Sequence, residues 1–131
     1  MKRFIILILV FYFVFGQIEV FSAPWSGKED DTWYSSSQNL FYISTPEELA
    51  GLSKLVNKGV DFSGKTINLT ENIDLAGIEW NPIGDDKNHF RGTFDGNYNH
   101  IKNLNIDAPG NYAGLFAYLK GDMFDNATIK I

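Results

Sequence analysis

The apolar and polar positions of this chain change pattern along its length. From Phe4 to Phe15 the residues form an unbroken apolar run behind the basic pair Lys2 and Arg3. From Thr45 to Gly59 the spacing is helical. Leu49, Leu52, Leu55 and Val56 share one face, which is the signature of a helix docked on a core. Thr45 suits an N-cap, Pro46 the first helical position, and Glu48 the place from which a capping-box carboxylate reaches back. Gly59 suits the stop, so the spacing predicts a helix over 46–58. After Gly59 helical periodicity disappears. Ile67 and Leu69, Ile73 and Leu75, Leu104 and Ile106, and Ile129 and Ile131 alternate with polar residues between Gly, Asn and Asp. These read as short strands joined by tight turns. Leu40–Ile43 reads as one further strand.

The first run has the form of a secretory leader: basic start, short apolar centre, then a small residue at a cleavage position. It is shorter than the roughly 20 residues needed to span a bilayer. Val20-Phe21-Ser22 places Val two residues before a small Ser, and cleavage is expected between Ser22 and Ala23. The organisation is then a signal peptide over 1–22, a linker and leading strand over 23–44, and a capping helix with incomplete repeats over 45–131. Within 24–39, Trp25, Trp33 and Tyr34 offer an alternative to a free linker, namely a lid packed on the core.

Two self-similarities suggest a repeat. Phe62-Ser-Gly-Lys-Thr-Ile67 resembles Phe90-Arg-Gly-Thr-Phe94, and Ile101-Lys-Asn-Leu-Asn-Ile106 resembles Phe124-Asp-Asn-Ala-Thr-Ile129. Repeats of some 20 to 30 residues made of strands and turns point to a solenoid. The expected fold is mainly β: a short right-handed parallel β-helix with an N-terminal capping helix. A β-sandwich is the rival, with Asp95-Gly96 as its best hairpin turn.

These residues resemble a known family. Glu79-Trp80-Asn81-Pro82-Ile83-Gly84, Phe90 to Asn97 with Gly92 and Gly96, His100 to Ile106, and Tyr112-Ala-Gly114-Leu-Phe116 are similar to the N-terminal β-helix of bacterial surface proteins with GLUG-type repeats. The upstream run Ile43 to Leu52 resembles the helix and first coil of such modules. The resemblance implies Trp80, Pro82, Gly84, Gly92, Gly96 and Gly114 as structural motif positions, beside the cap residues Thr45 and Glu48. It implies a surface or secreted protein of adhesin type. Such modules also occur beside protease domains.

Composition narrows the chemistry. With 16 acidic and 11 basic residues the net charge is -5, which opposes a nucleic-acid partner. There is no cysteine and there are two histidines, which excludes thiolate chemistry and leaves little for an imidazole metal site. Asp95 to Asn99 begins like a calcium loop. His100 stands where Gly is required and the closing Glu is missing, so a turn is the better reading. Asp85 and Asp86 with Lys87 and Arg91 could suggest a lyase groove, and equally a solvated loop. No catalytic, cofactor or metal residues are expected, and no enzyme. Candidate ligand contacts are Tyr98, Asn97, Asn99 and Tyr112, whose aromatic faces and amides suit a carbohydrate or a host or matrix protein. The alternatives are the N-terminal scaffold of a secreted protease or polysaccharide-acting enzyme, or a truncated remnant. The final strand carries Lys130 as its one charge, and its edge is expected to self-associate or to continue into another polypeptide.

Overall fold

The computed structural model describes residues 18–107, 113–117 and 128–130. The apolar run at Phe4–Phe15 lies outside them, as do Tyr112 and the Phe124–Ala127 half of the second self-similarity. The elements are β1 (Leu40–Ile43), α1 (Pro46–Asn57), β2 (Thr66–Leu69), β3 (Ile73–Asp74), β4 (Thr93–Asp95), β5 (Ile101–Lys102) and β6 (Thr128–Lys130). The chain is mainly β with one helix among the described residues. Its strands form two small parallel sheets, in the orders β1-β2-β4-β6 and β3-β5.

Each strand pairs with the equivalent stretch of a later segment. Leu40 lies on Thr66, Thr66 on Thr93, and Ile73 on Ile101. Isolated parallel bridges join Glu79 to Asn105 and Ile83 to Phe116. The first self-similarity is thereby realised in space. Phe62 and Phe90 stack at 5.9 Å, and Ile67 pairs with Phe94 once the shorter Phe90–Phe94 segment is accommodated. The second is corrected. Ile129 pairs with Phe94 rather than following the Ile101–Ile106 pattern. Leu104 is exposed, and the strand at that point is β5, which ends at Lys102. The cause is Asn103, whose left-handed backbone (φ 59°) ends the extended stretch. Asp95-Gly96 is likewise no hairpin: β4 pairs in parallel on both sides.

Alternation fixes which side chains point inward. Phe41 and Ile43 in β1, Ile67 and Leu69 in β2, and Phe94 in β4 are all buried. An aromatic column runs through the interior. Phe41 to Phe62, Phe62 to Phe90 and Phe90 to Phe116 are separated by 6.0, 5.9 and 5.4 Å, the spacing at which tilted and edge-on rings attract.

The helix forms as its ends direct. Thr45 Oγ1 accepts from the Glu48 amide, and Glu48 Oε2 accepts from the Thr45 amide, closing the capping box. Leu49, Leu52 and Val56 are fully packed on the core. Residues 21–39 cover the remaining faces of the helix and its neighbours. Trp25 is buried edge-on against Trp80 at 5.5 Å. Trp33 donates to the Glu48 carbonyl and meets Phe41 at 5.3 Å. Lys54 pairs with Asp31 at 3.1 Å, and the Asp30 amide donates to Glu47 O. Those aromatics therefore form a packed cover.

Candidate functional site

The candidate ligand residues Asn97, Tyr98 and Asn99 come together on one turn after β4. The Asn99 amide donates back to Gly96 O at 2.8 Å, and Asn97 and Tyr98 both adopt left-handed backbone, φ 48° and 59°. Two consecutive residues of that kind inside a four-residue turn tighten it into the primed form. The turn is held from three sides. Asp95 Oδ1 accepts from the Asn97 amide. Asn99 Nδ2 donates to Leu69 O in the segment above at 2.8 Å. Gly96 is buried. Tyr98 is left 93% exposed at the tip, so its ring is a presented face and contributes nothing to the core. Tyr112, the fourth candidate, lies outside the described residues.

Beside the turn opens an apolar hollow of 340 Å³. Leu69, Phe94, Ile101, Leu115, Phe116 and Ile129 line it, together with Gly96 and Asn99 of the turn. It lies where β4 and β6 end the larger sheet.

The motif positions act as structure. Trp80 is buried and its Nε1 donates to Leu115 O. The Ile83 amide donates to the same carbonyl at 2.9 Å, and the Ala117 amide returns to Ile83 O. Gly114-Leu115-Phe116 thus docks on the Trp80–Ile83 segment. Gly92 sits where a Cβ would lie 2.8 Å from Phe62 O. Pro82 and Gly84 are fixed by residues that the sequence reading overlooked. Ser53 Oγ donates to Asn81 O at 2.7 Å, Asn57 Nδ2 to Pro82 O, and the Gly84 amide to Asn57 Oδ1. Ser53 and Asn57 lie four apart on α1, a polar pair beside its apolar stripe, and that spacing was the available signal.

The second region considered in the sequence is a polar cavity of 170 Å³ lined by Asp61, Lys87, Asn88, His89 and Arg91 among others. Asp85 faces its own turn. Burial pushes the Asp85 carboxyl up, but the amides of Asn88 and Lys87 and the Asn88 side chain outweigh this and hold it below the usual carboxylate range. A carboxylate committed to three donors within its own turn is a loop fastener. Among the described residues no group of three or more His, Asp or Glu side chains could hold a metal ion.

The paired segments are also tied by side-chain amides. Asn103 Nδ2 donates to Asp74 Oδ1, Asn105 Nδ2 to Gly77 O, and Asn72 Oδ1 accepts from the His100 amide. Asp74 is held below its ordinary value chiefly by Asn103, then by the Ala76 amide.

No known protein family matches the chain, and no solved structure matches it. The chain is 31% identical over 122 residues to the "Putative Gly-rich membrane protein" of Evansella cellulosilytica. The match takes in 91% of this chain but only 14% of that protein. No helix among the described residues is long and apolar enough to cross a membrane.

Proposed function

We propose that this chain is a non-catalytic module of a secreted or surface-displayed bacterial protein. It is built as the first coils of a right-handed parallel β-helix of the GLUG-repeat kind and presents the Asn97–Asn99 turn to a ligand. The parallel pairings that advance through Leu40, Thr66 and Thr93, with the aromatic column inside, support the solenoid reading. Right-handed crossovers are the rule for parallel strands. The apolar start at Phe4–Phe15 serves as a cleaved leader. The membrane-protein name of the bacterial relative fits a place at the cell envelope, and its far greater length fits a module within a larger surface protein.

The observation that carries the binding role is Tyr98. A fully presented aromatic on a turn fixed by Asp95 and Asn99 offers a ring face and adjacent amides, the pairing that recognises a sugar ring by stacking and hydrogen bonding. Carbohydrate is therefore the favoured ligand class, and a host or matrix protein the other. A glycan array and a panel of immobilised matrix proteins, probed with the wild type and Tyr98→Ala, test this. The expected result is a glycan signal that falls at least tenfold in the variant. Binding unaffected by Tyr98→Ala overturns the assignment of the turn.

A further inference from the structure

The sequence places the leader cleavage between Ser22 and Ala23, yet the residues just before that bond belong to the folded protein. Phe21 forms a parallel bridge with Asn72, and the Ser22 amide donates to Asn72 O at 2.9 Å. Asn72 Nδ2 donates to Val20 O at 2.9 Å. Lys102 Nζ lies 3.9 Å from the centre of the Phe21 ring, and His100 Nε2 lies 3.5 Å from Glu19 Oε1. The Ser22 hydroxyl oxygen is shut off from solvent. Residues 19–22 thus lie as an extended segment along the open side of β3, and every one of them meets Asn72, His100 or Lys102 or is enclosed.

These contacts follow the plan of the layers below. Asn72 uses both ends of its amide: Oδ1 takes the His100 amide from the layer beneath, and Nδ2 reaches the Val20 carbonyl above. The next parallel contact along the chain is the Trp25 amide on Asp74 O at 2.9 Å, so 21–25 run beside β3 as β5 does on its other side. Cutting at Ser22–Ala23 would keep the Trp25 contact on Asp74 but delete the cover over Asn72, leaving its carbonyl and its Nδ2 without their partners at Ser22 and Val20.

A second bond meets the same cleavage requirement. Val14-Phe15-Gly16 repeats the form of Val20-Phe21-Ser22: Val, Phe, then a small residue. Gly16 directly follows the apolar run, and a small residue immediately before the bond is what a leader-cleaving protease accepts. We infer that the leader is removed between Gly16 and Gln17, so that Glu19–Ser22 remain in the mature protein as the segment covering β3. This inference rests on the leader reading proposed above.

Expression of the full chain in a secreting bacterium, followed by N-terminal sequencing and intact mass measurement of the exported protein, tests it. The expected N-terminus is Gln17 or its cyclised form. Gly16→Leu should abolish cleavage at this bond, while Ser22→Leu should leave it unchanged. An N-terminus at Ala23, or processing blocked by Ser22→Leu and untouched by Gly16→Leu, overturns the inference and leaves the leader intact as a concept. An exported or membrane-retained chain that still begins at Met1 overturns the leader reading itself, and the inference with it.

Discussion

At the scale of single residues, the close approaches matter more than propensity. Gly51 lies inside α1, where alanine would ordinarily be favoured by about 1 kcal/mol. Here an added Cβ would stand 1.9 Å from the Asp30 carbonyl oxygen, an atom of the backbone that cannot swing aside. Overpacking of that kind costs roughly 1–3 kcal/mol, so the clash outweighs the helical gain. Gly51→Ala should lower the urea midpoint and loosen residues 21–39 from the helix. A variant as stable as the wild type would mean that the segment packs elsewhere. The reason the sequence did not reveal Gly51 is that its neighbour is 21 positions away, and no local pattern encodes the contact. Thr45 is the opposite case. Its bond to the Glu48 amide is local and was legible from the Thr-Pro-Glu-Glu order. Thr45→Ala should cost about 1 kcal/mol in a thermal or urea melt, and no measurable change would mean that the helix start does not depend on its cap.

Among the elements, the helix and β1, β2 and β6 were readable because their signals are periodic and short-ranged. The turns were only partly so. Asn97 and Asn103 adopt left-handed backbone as asparagine readily does, but Phe62, Ala76 and Tyr98 do so as well. Such residues resist that region by roughly 1–2 kcal/mol, so nothing in their identity announces it. Their surroundings hold it instead: Phe62 keeps its ring in the aromatic column, and Ala76 is held within its own turn by its amide on Asp74 Oδ1. Asparagine frequency hinted at turns, whereas the inter-layer amide bonds could be assigned only once the register was known. Two hydrogen-bonded carboxylates make the fold sensitive to acid. Asp74 is lowered by Asn103 and Ala76, Asp30 by the hydroxyl and amide of Thr32. A carboxyl with a depressed folded pKa contributes stability above its unfolded value, and that contribution is lost as pH falls through the folded value. Stability should therefore be level near neutral pH and decline as pH drops below the ordinary aspartate value of 3.8. Asp74→Asn should reduce the steepness of that decline in melts recorded across the pH series. An unchanged slope would show that the Asp74–Asn103 contact does not link to folding.

For the whole molecule, the two ends of the layered core differ. Above, α1 and residues 21–39 bury Trp25, Leu49, Leu52 and Val56. Below, among the described residues, β6 pairs only with β4, and the hollow of 340 Å³ beside it is lined by Leu69, Phe94, Ile101, Leu115, Phe116 and Ile129. An apolar hollow next to a parallel edge that has no further partner among the described residues offers both burial and backbone hydrogen bonds to another strand. The sequence indicated such an edge through the Thr128–Ile131 pattern, but the hollow needed the three-dimensional meeting of β2, β5 and the Gly114–Phe116 segment. The occupant that a purified sample provides is a second copy, so the protein should associate with rising concentration in size-exclusion chromatography with light scattering. Lys130 lies in β6, and a charge in an edge strand opposes pairing. Lys130→Val should shift association to lower concentration, and Ile129→Glu, which puts a carboxylate in the lining of the hollow, should shift it higher. A species that remains monomeric across the series, with both variants indistinguishable from it, would show that this edge is closed to other strands.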